Sequence, residues 1–414
     1  MSDFEAKEIK PVSFKERVEE IDIIRGFALF GVLLVNMAMF NTTLFSKFAS
    51  AAPLSNPLQL QTFPDKLAAL FIQILGEGKF YTIFSMLFGL GFYIFMEKAE
   101  EKEISPNRLF MRRSFFLLLF GILHFNLVWY GDILHVYGLI GFLLMAFRKC
   151  SLKTIRIWIV ILLILSTLLY SGFVFLNSLI EASFTPETLE AQYNVVNALM
   201  KESIEVYKNG SYIDIIRYRF YNEFSLVLMN LVVLIPKILG MFLIGLYAGK
   251  KGIFKDIEGN LHIIEKVWRR GGIIGILSTI AYILLQWYII SINPLLREAA
   301  VTIFKEIATV FLSLFYATSL LLLLRKPSFR NKLAPLRYMG QMALTNYLVQ
   351  CISCSILFYG YGLDLLNEVG LATGVIFTIL IYGAQLILSK KWLRRFRYGP
   401  FEWIWRKLTY KGLL

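Results

Sequence analysis

Apolar residues in this chain come in runs about as long as a bilayer is thick, separated by short clusters of charge. A spanning helix needs about 20 mostly apolar residues. Ten stretches fit that pattern: 21–42, 66–97, 112–130, 132–148, 153–180, 224–250, 271–292, 299–325, 335–359 and 370–389. They take up most of the chain and leave no room for a large soluble domain. The pattern predicts an all-α polytopic membrane bundle of about ten transmembrane helices, one domain over 21–389. A polar arm (1–20) precedes it, and a tail (390–414) alternating Arg and Lys with Trp, Phe and Tyr follows, as in segments that lie on a membrane surface. The longest piece outside the runs, 181–222, is too short for an enzyme domain and reads as a cap over one face.

The second run breaks the pattern, because Glu77 and Lys79 fall about a third of the way along it. A charge at bilayer depth costs at least about 2.5 kcal/mol. Either 58–75 is a surface or re-entrant helix that leaves 80–97 to span, or the pair faces a hydrated cavity. The first is the favoured reading.

Composition agrees with a membrane protein. Of 414 residues, 57% are hydrophobic and 17% charged, where soluble domains carry roughly a quarter, and the mean hydropathy is +0.62. The net charge of +14 would suit a nucleic-acid partner, but its placement argues otherwise. With the N-terminus set inside, the arm, the tail and alternate loops hold 33 of the 43 Lys and Arg. That asymmetry puts both termini in the cytoplasm and assigns the excess charge to topology and anionic headgroups. No cleavable leader is expected. Cys150, Cys351 and Cys354 lie in or beside apolar runs without His or acidic companions, so they read as packing residues and no metal site is expected.

In such a chain the polar residues at depth carry the information. Asp22, Arg25 and Asn36 share one face of the first helix, since eleven residues make about three turns. Asp22 and Arg25 alternatively form only an interfacial ion pair. His124 lies about 9 Å below Tyr130 and so at the depth of Asn36. Asp132 and His135 open the fourth helix, where an aspartate also serves as an N-cap. Glu223, Asn230 and Lys237 are spaced by sevens into one stripe, with Lys237 after the kinking Pro236. Asn346, Gln350 and Ser353 share a face of the ninth helix, where polar groups often only join neighbouring helices. One polar shaft from Arg25 and Asn346 to His124, Asn36 and Glu77 would account for them together.

Five segments carry a resemblance to a known family: "IDIIRGFALFGVLLVN", "GKFYTIFSMLFGLGF", "LFGILHFNLVWYGDILHVYGL", "PLRYMGQMALTNYLVQ" and "RRFRYGPFEWIWRKLTY". In this order, and over essentially the whole chain, it resembles the bacterial YeiB family, membrane proteins built around a domain of unknown function. The opening helix of that family is similar to those of transmembrane acyltransferases, including the glycan O-acyltransferases and the lysosomal enzyme that N-acetylates heparan sulphate. The resemblance implies transfer of an acyl group from cytoplasmic acyl-CoA to an acceptor across a bundle of about ten helices, in a bacterial cytoplasmic membrane. Their Arg-Gly matches Arg25-Gly26. The O-acyltransferases place a catalytic histidine eleven residues after that arginine, where this chain has Asn36. The lysosomal enzyme's histidine precedes its second span, and residues 41–79 here contain none.

The expected mechanism therefore moves the base to His124. Asp132 or Glu77 would orient it, and Asn36 or Lys79 would stabilise the oxyanion. Arg25 and the basic inner loops would hold the phosphates of acyl-CoA, with Asp22 beside Arg25, and Lys237, Asn230, Asn346 and Gln350 would line the shaft near His135. The acceptor would be a small molecule or an envelope glycan, the partners the bilayer and an optional second copy in a homodimer. The alternative is a transporter of a small anionic or zwitterionic solute, with Lys237 as the anion site and His124 or Glu77 carrying protons. A third possibility is a structural role alone.

Overall fold

The computed structural model describes residues 18–48, 60–101 and 105–410, and within these the only regular elements are helices. Eight helical segments are long and apolar enough to cross a membrane, and two shorter apolar helices, 134–147 and 343–358, complete the ten runs read from the sequence. The protein is a multi-pass membrane protein. "Inner" below denotes the end where the basic loops gather, "outer" the opposite end.

Helix α1 (Glu19–Phe40) runs from the inner to the outer end and is followed by the short α2 (Leu44–Phe48). The return crossing is divided into α3 (Phe63–Phe71), a wide turn at Ile72–Gly76, and α4 (Lys79–Glu101). Of the segment 58–75, read from the sequence as a surface or re-entrant helix, residues 58 and 59 lie outside the described residues, and α3 is a short helix set apart from α4. Ala68, Ala69 and Ile72 pack against Leu34 and Ala38, so α3 lies along the outer half of α1. The charged break can sit at depth because its side chains find partners on another helix, described below. Gly78 closes the break with φ +83°, a conformation that costs glycine nothing.

α5 (Pro106–Leu127) and α6 (Leu134–Leu144, extended to Phe147 by a tighter turn) form a hairpin, and α7 (Leu152–Ser183) returns outward. The cap comprises α8 (Pro186–Asn209) and α9 (Tyr212–Tyr218). Ser211 and Asp214 start α9 by exchanging hydrogen bonds between side chains and backbone. The Ser203 and Thr43 hydroxyls lie 2.7 Å apart, and Gly360 N donates to Tyr207 O, which fixes the cap to the outer ends of the bundle.

α10 (Phe224–Lys250) contains Pro236. α11 (Leu261–Gln286) and α12 (Pro294–Leu324) form a second hairpin. α13 (Pro327–Leu333) and α14 (Leu336–Gln341) lead into α15 (Ala343–Phe358), α16 (Leu371–Leu393) and the tail helix α17 (Pro400–Tyr410). The tail does more than rest on a surface. Trp405 Nε1 donates to Arg113 O (2.9 Å), Arg112 to Leu408 O (2.9 Å), and Thr345 N to the Glu402 carboxylate (3.0 Å). One side of α17 thus grips α5 and α15 while Trp403 stays exposed.

Candidate functional site: two buried polar clusters

The first cluster forms where α5 turns into α6. A Cβ on Gly121 would lie 2.0 Å from His135 N, so only glycine lets the two helices approach closely enough to bring their histidines together. His124 Nδ1 lies 2.9 Å from Asp132 Oδ1, and His135 Nδ1 lies 2.7 Å from Asp132 Oδ2. The same Oδ2 accepts from His135 N at 2.8 Å, so Asp132 also caps the start of α6, as its position suggested. All three are buried, at 4%, 5% and 9% exposure in chain order. Two ring N–H groups and one backbone N–H converge on the two oxygens of Asp132, an arrangement that favours the ionised carboxylate.

An ionised Asp132 accepts one N–H from each imidazole, which leaves both Nε2 atoms as lone-pair acceptors. Neither Nε2 has a hydrogen-bond partner among the described residues. The Tyr347 ring of α15 lies 5.4 Å from that of His124 and closes one side. Enlarging Gly121 to valine is expected to cost about 3 kcal/mol, the upper end of overpacking, and to separate His124 from Asp132. Thermal unfolding of the purified variant checks the first effect.

The second cluster surrounds the break between α3 and α4. Lys237 Nζ bonds Glu306 Oε1 at 2.7 Å, Lys305 pairs with Glu77 at 3.0 Å, and Lys79 Nζ donates to Gln73 O at 3.2 Å. Gln73 in turn donates to Gln286 Oε1 (3.1 Å). The Lys237 ammonium stands 5.5 Å from the Tyr81 ring centroid. A polar stripe on α12, made of Thr302, Lys305, Glu306, Thr309 and Ser313, faces this break, and Ser313 Oγ donates to Lys79 O at 2.8 Å.

The sequence-derived residues therefore separate instead of lining one shaft. Asp132, and not Glu77, orients His124. No hydrogen bond joins Asn36 to His124, and Asn36 is only half-buried. Lys79 belongs to the second cluster with Glu77 and Lys237. Asn230 is exposed, because the outer half of α10 is lightly packed on all sides, so the stripe with Glu223 and Lys237 does not hold as one inward face. Asp22 and Arg25 form an ion pair at 3.0 Å near the inner end, and Arg25 also reaches Gly340 O. Asn346 bonds Ser389 (3.0 Å) and Gln350 bonds Gln385 (2.9 Å), so these two tie α15 to α16.

Sequence reasoning missed Lys305, Glu306 and Arg219. The first two were detectable: they are adjacent charges inside the apolar run "VTIFKEIATVFLS", with Thr and Ser three, four and seven residues away on the same face. Arg219 is fully buried under the cap, where its Nε donates to Tyr207 OH (3.1 Å) and Tyr207 OH donates to Glu223 (2.9 Å). In a loop of mixed charge it looks like any solvated arginine.

Comparison with known proteins places this architecture in a family. Residues 248–412 match the family described as a protein of unknown function, DUF418. Over nearly the full length, the chain is similar to the uncharacterized protein YxaH of Bacillus subtilis (strain 168), at 34% identity covering 97% of this chain and 96% of that one. An uncharacterized 39.9 kDa protein in the amylase 3' region of Bacillus acidopullulyticus is 28% identical, with coverage of 97% and 96%. The uncharacterized protein YeiB of Escherichia coli (strain K12) is 28% identical, with 96% and 97%. The chain belongs to this DUF418 family, alongside YxaH and YeiB.

Proposed function

We propose that the protein is a membrane acyltransferase of the bacterial cytoplasmic membrane, with His124 as its general base. The observation that carries this reading is an imidazole oriented through Nδ1 by a buried carboxylate, with Nε2 unfilled in the interior. In the reaction, Nε2 takes the proton of an acceptor hydroxyl or amine as that atom attacks the thioester carbonyl of acyl-CoA. The tetrahedral intermediate then expels the CoA thiolate, which recovers the proton from the imidazolium, so proton and electron pair both balance. His135 holds the other oxygen of Asp132 and keeps the carboxylate fixed between the two rings.

We take the donor to enter from the inner end. A cavity of about 450 Å³ opens there between α4, the turn before α7, α7 and α10, lined in part by Arg148, Lys250, Cys150 and Glu97. The histidines lie at the far end of α6, so at ~1.5 Å per residue the donor's reactive end would travel about 20 Å to reach them.

Transport of a small anionic or zwitterionic solute is the second reading, favoured by the interrupted crossing at Glu77–Lys79, since broken helices commonly bind solutes near the midplane. Two measurements on the purified protein separate the readings. The acyltransferase is expected to be thermally stabilised by CoA and to consume labelled acyl-CoA in proteoliposomes when an acceptor is present. Neither effect is expected of the transporter, and the absence of both would remove the enzyme reading.

A further inference from the structure

The cavity at the inner end has a lining of two kinds, which neither reading above explains. Its depth is apolar: Phe92, Met96 and Leu246 are buried, and Leu152 faces them from α7. Phe92 stands nine residues before the end of α4 at Glu101, and Leu246 four before the end of α10 at Lys250. At ~1.5 Å per residue the recess therefore reaches about 6–14 Å inward from the helix ends. The mouth is charged, with Arg148, Lys250, Glu97 and Glu100 around it. At about 450 Å³ the space falls within the range of ligand pockets, roughly 300–1,000 Å³.

The charges at the mouth are not equivalent. Glu97 pairs with Lys255 (2.5 Å), and Tyr93 OH also donates to it (2.8 Å). Glu100 pairs with Arg148, which donates from its other nitrogen to Asn107 Oδ1. Lys250 is half-buried and donates to a backbone carbonyl, Cys150 O (2.7 Å), while no carboxylate of the described residues pairs with it. The Glu100 side chain is 56% exposed, so its pair with Arg148 is worth little and a phosphate can displace it. Lys149, Lys153 and Lys251 stand exposed on the flanks. The cavity thus offers cationic donors at the helix ends and an apolar recess behind them.

We propose that this cavity binds an amphiphile by its phosphate, with Lys250 and Arg148 on the phosphate oxygens and the apolar part against Phe92, Met96 and Leu246. Basic pockets between helices on the cytoplasmic side take anionic headgroups in this way. Two sources carry the chemistry: an anionic phospholipid of the inner leaflet, and a long-chain acyl-CoA as donor of the proposed reaction. A free phosphate would leave the apolar recess unfilled. Arg25, expected from the sequence to hold the phosphates, is engaged by Asp22 and Gly340 O, and the contact passes to Lys250. Only the acyl-CoA branch rests on the acyltransferase reading.

Thermal unfolding of the full chain in phosphatidylcholine nanodiscs tests it, with phosphatidylglycerol built into the disc, with palmitoyl-CoA added, or with inorganic phosphate at equal ionic strength. The unfolding temperature is expected to rise by about 2 °C or more with phosphatidylglycerol or palmitoyl-CoA, and to stay unchanged in inorganic phosphate. The amphiphile that raises it identifies the source, and a rise with both identifies a shared site. Lys250→Gln is expected to remove the rise. Leu152→Trp keeps every charge, fills the recess from α7 and is expected to remove it too, which decides the matter should Lys250→Gln fail to fold. No rise with either amphiphile, an equal rise in inorganic phosphate, or an undiminished rise in either variant overturns the proposal. A rise with phosphatidylglycerol in a protein that consumes no acyl-CoA would uphold the site and remove the enzyme. Acyl-CoA turnover in a protein that shows neither rise would do the reverse.

Discussion

Alanine in place of His124 is expected to slow acyl transfer by about 10²–10⁴-fold, the usual contribution of a positioned general base. Asp132→Asn is the sharper variant. The asparagine amide can still accept from His135 N with its oxygen, so α6 keeps its cap. Its NH₂ group, however, is a donor facing an Nδ1 that was itself donating. That imidazole must move its proton to Nε2 and can no longer accept one from the substrate. The loss expected is comparable to that of His124→Ala, with the folded yield retained. Initial rates of labelled acyl transfer in proteoliposomes, normalised to correctly folded protein, provide the measurement. Wild-type turnover in His124→Ala would remove the imidazole from the mechanism and with it the present assignment of the site.

The second large effect concerns stability. Lys237→Met leaves the Glu306 carboxylate buried without its ammonium, and breaking a buried pair from one side costs about 3–5 kcal/mol. Removing both charges with Lys237→Met and Glu306→Leu is expected to recover most of that loss, because the cost lies in the stranded charge. Unfolding of the single and double variants in detergent decides the matter. A double variant no more stable than the single one would mean that the pair contributes net attraction and is not merely tolerated.

These outcomes depend on contacts that the sequence revealed unevenly. The helical bundle was legible because a crossing needs a long apolar run, and eight of the helical segments are long and apolar enough to cross. The proximity of His124, Asp132 and His135 was legible too, since a hairpin between two short spans brings its flanking residues together. Which carboxylate would orient His124 was not. Glu77 and Asp132 were equally plausible until the chain folded, when Glu77 found Lys305, 228 positions away in sequence order. Helical spacing put Asn230 on the face of Lys237, but spacing says nothing about how many neighbours a helix has along its length. The sequence also gave no sign that polar residues at similar depth would divide between two clusters. That division follows from pairings across helices, and periodicity within one helix cannot disclose them.

The grip of α17 on α5 has a consequence for biosynthesis. Trp405 and its acceptor Arg113 stand 292 residues apart. The ribosome must therefore add nearly 300 residues after Arg113 before the inner end of α5 receives its clasp. Until α17 is made, the early hairpins stand with that end unlatched, and a truncation before Trp405 would leave it so.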